Sequence, residues 1–169
     1  MTDMTAAEQY VSENREFIES TLSEFVLTDT LLFWSNEMVV NDLQKAKWQP
    51  ILDWLAQEKN WHFCTTEDFC LPQENEHTGE LFGDYLKTLS LKKLTALYIA
   101  ATNMKSPLLA VALIENKLSA QQAFELAFLE EMHQAELWGE DVAAANLRHK
   151  ILEDLQQTEE YLYGTLLTN

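Results

Sequence analysis

The chain is poor in the residues that punctuate a backbone. It has four Gly and three Pro in 169 residues, and β-branched alternation is scarce. Sheet architectures need frequent turns, so this poverty excludes them and predicts an all-α fold. Two cysteines, Cys64 and Cys70, are too few for a disulfide framework. They fit a reducing compartment, with room for at most one bridge. No run of about 18 apolar residues occurs, so no membrane span and no stable membrane insertion are expected. Residues 1–20 hold acids and no apolar block, unlike a signal or transit peptide. A soluble, resident chain is therefore expected. Positive charge is also scarce. Eleven Lys and Arg stand against 28 Asp and Glu, a net charge of −17. A field of that sign repels phosphates and anionic headgroups, which excludes nucleic acid as a partner. No glycine-rich phosphate loop, nucleophile elbow or paired-cysteine metal box is present.

What is present is apolar: 47% of the residues are hydrophobic, and a chain of this length can bury roughly 70% of its unfolded surface. One α-helical domain over residues 1–169 is expected, a bundle of about seven helices ending in a long helix pair hinged at Gly139. The stretch Ser119–Glu160 organises the rest. Ser119 with Gln122 fits a capping box that starts a helix at about residue 120. At 100° per residue, Glu131 shares a stripe with Phe124, Ala127, Ala135 and Trp138, with Phe128 at its edge. An ionised carboxylate on an apolar face is costly unless it is paired, partly solvated in a groove, or matched by a partner's cation. Gly139 can take the left-handed conformation that ends a helix, and Glu140 and Asp141 favour the positive end of the next.

Upstream, residues 5–27 read as one amphipathic helix. Thr28 and Asp29 offer cap chemistry before a short buried segment, Thr30–Trp34, whose secondary structure periodicity does not decide. Asn41 and Asp42 are cap candidates for a helix through Trp48. Pro50 suits the first turn of a continuation over 51–59, with a break near Gln49. Residues 60–79, with Pro72, Gly79 and the polar patch Gln73–Glu76, read as a long loop. Helices are predicted over about 79–89, 91–104, 107–117, 120–137 and 140–164, with Ser90 and Ser106 as caps and Pro107 at a first helical position. Leu108–Ile114 is apolar all round and belongs in the middle of the bundle.

Any enzymatic reading rests on carboxylates and histidines. Glu74–His77 and Glu130–His133 have the Glu-x-x-His spacing of carboxylate-bridged di-metal bundles. The first lies between Pro72 and Gly79, where a continuous helix is not expected, and two further inward carboxylates would be needed. His62, Cys64, Cys70 and His77 could be drawn as a zinc tetrad, but the Cys spacing lies outside the usual range. No metal, no cofactor and no enzymatic activity are expected. A helical adaptor for some other protein shares every compositional feature, and a di-metal bundle enzyme is the more distant alternative.

Several blocks carry a resemblance. Leu118-Ser119, Ala123, Leu129-Glu130-Glu131, Gln134 and Trp138-Gly139 form one. Upstream lie Thr28–Leu32, Trp48–Trp54 and the apolar segment from Ser106 to Leu118. In this order, over roughly residues 15–162, they resemble the assembly chaperones of the mitochondrial and alphaproteobacterial F-type ATP synthase that bind the α subunit of the catalytic head. The resemblance implies a helical, non-enzymatic domain that holds the unassembled α subunit and releases it as the head forms. It also implies partner-binding residues at Glu130, Glu131, Gln134, Trp138 and Gly139. The expected location is the cytoplasm for a bacterial source and the mitochondrial matrix for a eukaryotic one. Two features depart from the pattern. The family carries a strand-rich N-terminal domain, and nothing ahead of residue 28 reads as strand, so the chain matches the C-terminal helical domain alone. Met132 and His133 stand where the family often has an acid followed by an aromatic.

Overall fold

Ser106 opens the helix around which the others are arranged. Its Oγ accepts the Leu109 amide at 3.1 Å, and Pro107 occupies the first turn, where its missing N–H costs nothing. The computed structural model describes residues 2–68 and 74–164, and in it Pro107–Ile114 forms α7, with every residue buried. Each fully buried aliphatic side chain there contributes roughly 1.5–3 kcal/mol relative to an exposed one, which places this helix at the centre of the core. Its N-terminus is also held from a distance. Asp29 is fully buried and accepts from the Leu108 amide at 2.7 Å, from Ser106 Oγ at 2.8 Å and from the Leu31 amide at 2.8 Å. One carboxylate thus joins a short 3₁₀ turn, Thr30–Leu32, to the positive end of α7. At the other end Tyr163 Oη donates to the Leu113 and Ile114 carbonyls, each at 2.8 Å.

The described residues form ten α-helices, more than the expected number because long stretches are divided. Residues 5–27 split into α1 (Met4–Glu13) and α2 (Arg15–Phe25) at Asn14, whose side-chain amide donates to the Tyr10 carbonyl and competes with the helical ladder. A third helix, α3 (Met38–Lys47), begins earlier than expected. Glu37 caps it, while Asn41 turns away to donate to Ser35 O and Glu67 Oε1. The break near Gln49 is present, and α4 (Gln49–Lys59) follows Trp48 with Pro50 in its first turn.

The loop after α4 is shorter than expected, because α5 (Asn75–Thr88) starts ahead of Gly79. Gly79 and Gly83 act as spacers inside it rather than breakers. A Cβ at Gly83 would sit 2.7 Å from Ser23 Oγ, and one at Gly79 would sit 3.0 Å from Leu27 Cδ2, so the glycines let α2 and the 3₁₀ turn that follows it, Val26–Thr28, approach closely. Pro72 and Gln73, part of the expected polar loop, lie outside the described residues. Next come α6 (Leu91–Met104), capped by Ser90 as expected, and α7. The expected helix over 120–137 is two helices, α8 (Ala120–Ala127) with its full Ser119–Gln122 capping box, and α9 (Leu129–Trp138). Gly139 then precedes α10 (Val142–Tyr163). Around α7, α6 packs against α10 and α1, α10 covers α8, α2 lies on α5, and α3 contacts both α4 and α9. No strand forms among the described residues; Phe33 and Thr66 make one isolated bridge.

Candidate functional site

The break at Phe128 decides where the expected site residues go. Phe128 has φ −109° and ψ 23°, so the helix axis changes there and the stripe read through Glu131 is not continuous. Phe124 and Ala123 stay in the core, and Phe128 packs on Phe124 with ring centroids 5.1 Å apart. Beyond it, α9 buries no residue. Glu131 therefore does not sit in a buried apolar face. It lies at the mouth of a cleft of about 470 Å³ whose lining includes Trp48, Lys105, Phe128, Glu130, Glu131, Gln134, Leu147 and Arg148. Three of the five expected partner-binding residues, Glu130, Glu131 and Gln134, share that cleft; Trp138 and Gly139 do not line it.

A cation of the same chain faces Glu131. Arg148 Nη1 lies 3.7 Å from Glu131 Oε2, and Arg148 Nη2 donates to Glu140 Oε1 at 3.4 Å. The Arg148 side chain is 10% exposed, whereas Glu131 and Glu140 are 58% and 63% exposed. A buried guanidinium thus draws two solvated carboxylates together across the α9–α10 corner. The triad keeps one net negative charge. At these exposures and distances each pair contributes about 0–1 kcal/mol, so the clasp orients α9 more than it stabilises the fold. The sequence held a signal for Arg148. No Lys or Arg occurs between Lys117 and Arg148, so it is the one cation that this acidic stretch supplies.

Trp138 and Gly139 stand at the outer corner. Trp138 is 79% exposed. Gly139 has φ +88° and ψ 161°, a conformation essentially restricted to glycine, and no atom lies within 4 Å of where its Cβ would be. The glycine is needed for the direction of the chain and not for space. Around it, Leu137, Val142 and Leu147 are also exposed, none of them singled out by sequence reasoning. Met38 and Val39, at the start of the α3 helix that α9 contacts, are exposed as well. Large apolar side chains left exposed on neighbouring elements make this corner the candidate binding surface.

The residues considered for metal chemistry are scattered. His77 is on α5, 3.8 Å from Glu80 at an exposed position, with Glu74 just ahead of the helix; α5 does run through this segment, contrary to expectation. His62 hydrogen-bonds with Asn60, Cys64 is exposed, and Cys70 lies outside the described residues. Among the described residues no group of three or more His, Cys, Asp or Glu is placed to hold a metal ion, and no helix is long and apolar enough to cross a membrane.

No family model matches the chain. Over 138 residues, 78% of this chain and 47% of the relative, it is 22% identical to the mitochondrial protein Atp12 of Schizosaccharomyces pombe. The chain thus spans about half the length of that curated relative. The crystal structure of Atp12 from Paracoccus denitrificans superposes with a TM-score of 0.88 at 25% identity, covering 95% of this chain and 69% of that one. A point variant of the same bacterial protein gives the same values. A chaperone candidate from Agrobacterium tumefaciens superposes with a TM-score of 0.80 at 26% identity, covering 95% of this chain and 60% of that one. Sequence and fold agree in their similarity to Atp12.

Proposed function

We propose that this chain is a non-enzymatic assembly chaperone of the F-type ATP synthase that holds the unassembled α subunit at the α9–α10 corner. The similarity to Atp12 supports the assembly role. One structural observation carries the choice of surface: α9 buries none of its residues yet carries Leu137 and Trp138 in the open beside the Glu131–Arg148–Glu140 triad. Glu130, Glu131 and Gln134 form the cleft side of the docking surface, while Trp138 and Gly139 form its outer edge. No cofactor takes part. The chaperone acts where the synthase head is built, in the mitochondrial matrix or the alphaproteobacterial cytoplasm according to source.

Co-expression with the α subunit of the same organism tests the reading. The expected result is a soluble complex that co-purifies. Glu131→Lys is expected to abolish it, while helical content and melting stay near those of the unsubstituted protein. Failure of the α subunit to co-purify, with other proteins retained instead, would favour a helical adaptor. Unfolding of the Glu131→Lys variant would make Glu131 a structural residue.

A further inference from the structure

We infer that the α9–α10 corner receives a basic amphipathic helix of its partner, apolar on one face and bearing Lys or Arg along its edge. The inference rests on the reading of this corner as a docking surface for another protein. Three observations carry it. First, Trp138, Leu137, Val142 and Leu147 are all exposed on two consecutive helices that meet at Gly139. A Trp flanked by aliphatic groups is the composition of an interface centre, where large, stiff side chains supply most of the binding energy. Secondly, the rim is predominantly acidic. Glu130, Glu131, Glu136, Glu140 and Asp141 lie among these apolar residues, and the stretch from Leu118 to Leu147 holds no Lys or Arg. Two cations, Lys105 and Arg148, line the adjoining cleft, and Arg148 is shared between two carboxylates and leaves that triad net negative. An acidic segment would meet repulsion on nearly every side, whereas a basic one is steered in. Thirdly, the described residues offer no sheet edge, so strand addition has nothing to pair with. Side chains aligned along helices instead suit the packing of a helix.

The test uses two synthetic helical peptides, each with Leu along one face and either Lys or Glu along the other. Trp138 is the reporter: it is 79% exposed, whereas Trp48 and Trp61 are 2% and 4% exposed and Trp34 and Trp54 are half-buried, so the corner's share of the acrylamide quenching is the part lost in a Trp138→Phe control. The Leu/Lys peptide is expected to protect the emission from quenching, with an affinity that falls as salt rises. Its affinity should drop at least tenfold in the double variant Leu137→Ser, Val142→Ser. The Leu/Glu peptide is expected to give no protection. Equal affinity of the Leu/Lys peptide for the double variant would reveal general attraction to an acidic protein and overturn the inference, as would protection by the Leu/Glu peptide. The two readings fail separately. An α subunit captured by a protein whose Trp138 neither peptide protects would sink the basic-helix inference alone. Protection by the Leu/Lys peptide without α-subunit capture would sink the α-subunit reading alone.

Discussion

Two short helices of this chain, α7 and α9, use apolar residues to opposite ends. In α7 all eight residues are buried; in α9, ten residues long, none is. The ends differ as well. Ser106 and Asp29 close the N-terminus of α7, and Tyr163 closes its C-terminus, whereas α9 begins at Phe128 without a side-chain cap. The apolar content of α7 is accounted for by folding. That of α9 is accounted for only in part, because Leu129 packs against the core while Leu137 and Trp138 are left largely exposed. On the proposed reading, stability and recognition fall to different helices, which makes the division testable by substitution.

The largest expected effect is on α7. Leu113 is fully buried, and Leu113→Ala should cost about 2–5 kcal/mol by lost burial and the cavity left behind. Urea denaturation measures it. A loss much smaller than this would remove α7 from the centre of the core and break the contrast.

Next comes the acid that ties down α7. Burial raises the Asp29 carboxyl from 3.8 to about 7, outweighing the lowering by donors at Leu108, Leu31 and Ser106. The folded value therefore lies above the unfolded one, so protonation favours the native state. That contribution is complete below about 3.8 and is lost as the pH rises through about 7. Across this window the unsubstituted protein should lose stability of the order of a few kcal/mol relative to the trend of Asp29→Asn, which has no proton to lose. Denaturation at a series of pH values shows it as a slope that the variant flattens. Equal slopes would mean that Asp29 is ionised throughout and acts only as an acceptor for its three donors.

Much of this was legible from the residues. The 3.6 periodicity and scarce turn formers specified helices; Ser90, Ser106, Ser119 and Gly139 were legible as helix ends because each does its work within one turn. What was not legible depends on contacts far along the chain. The starts of α3 and α5 and the splits at Asn14 and Phe128 follow from where neighbouring helices and loops make room, as Gly83 against Ser23 illustrates. The geometry of the candidate site was half legible. Glu131 stood out as a charge on an apparent apolar stripe, but its partner Arg148 lies beyond Gly139 and becomes visible only when the chain turns back. The exposure of Leu137 and Val142 was invisible for the same reason: a helical stripe looks alike whether the core or another protein covers it.

A smaller effect is expected at the clasp. Arg148→Met keeps most of the side chain's volume and removes the charge that Glu131 and Glu140 share. With both carboxylates more than half exposed, global stability should fall by less than about 1 kcal/mol. Hydrogen exchange separates the two helices more sharply: amides of α9 should exchange faster in the variant, while those of α7 stay at the global limit. Faster exchange in both helices would mean that the clasp holds the core as well.

Gly139 gives the smallest expected change in stability and the most demanding test. At φ +88° and ψ 161° an alanine is strained by about 1–3 kcal/mol, and with no atom within 4 Å of the new Cβ that strain is entirely in the backbone. Were α9 embedded in the core, the full cost would appear as lost stability. Because α9 buries nothing, the junction can rotate to an allowed conformation and give up only contacts such as the clasp. Gly139→Ala should therefore lower stability by well under the full strain, while moving Trp138 relative to the Arg148 cleft and weakening capture of the α subunit. A denaturation midpoint that falls by the whole strain, with capture intact, would couple α9 to the core and end the contrast with α7.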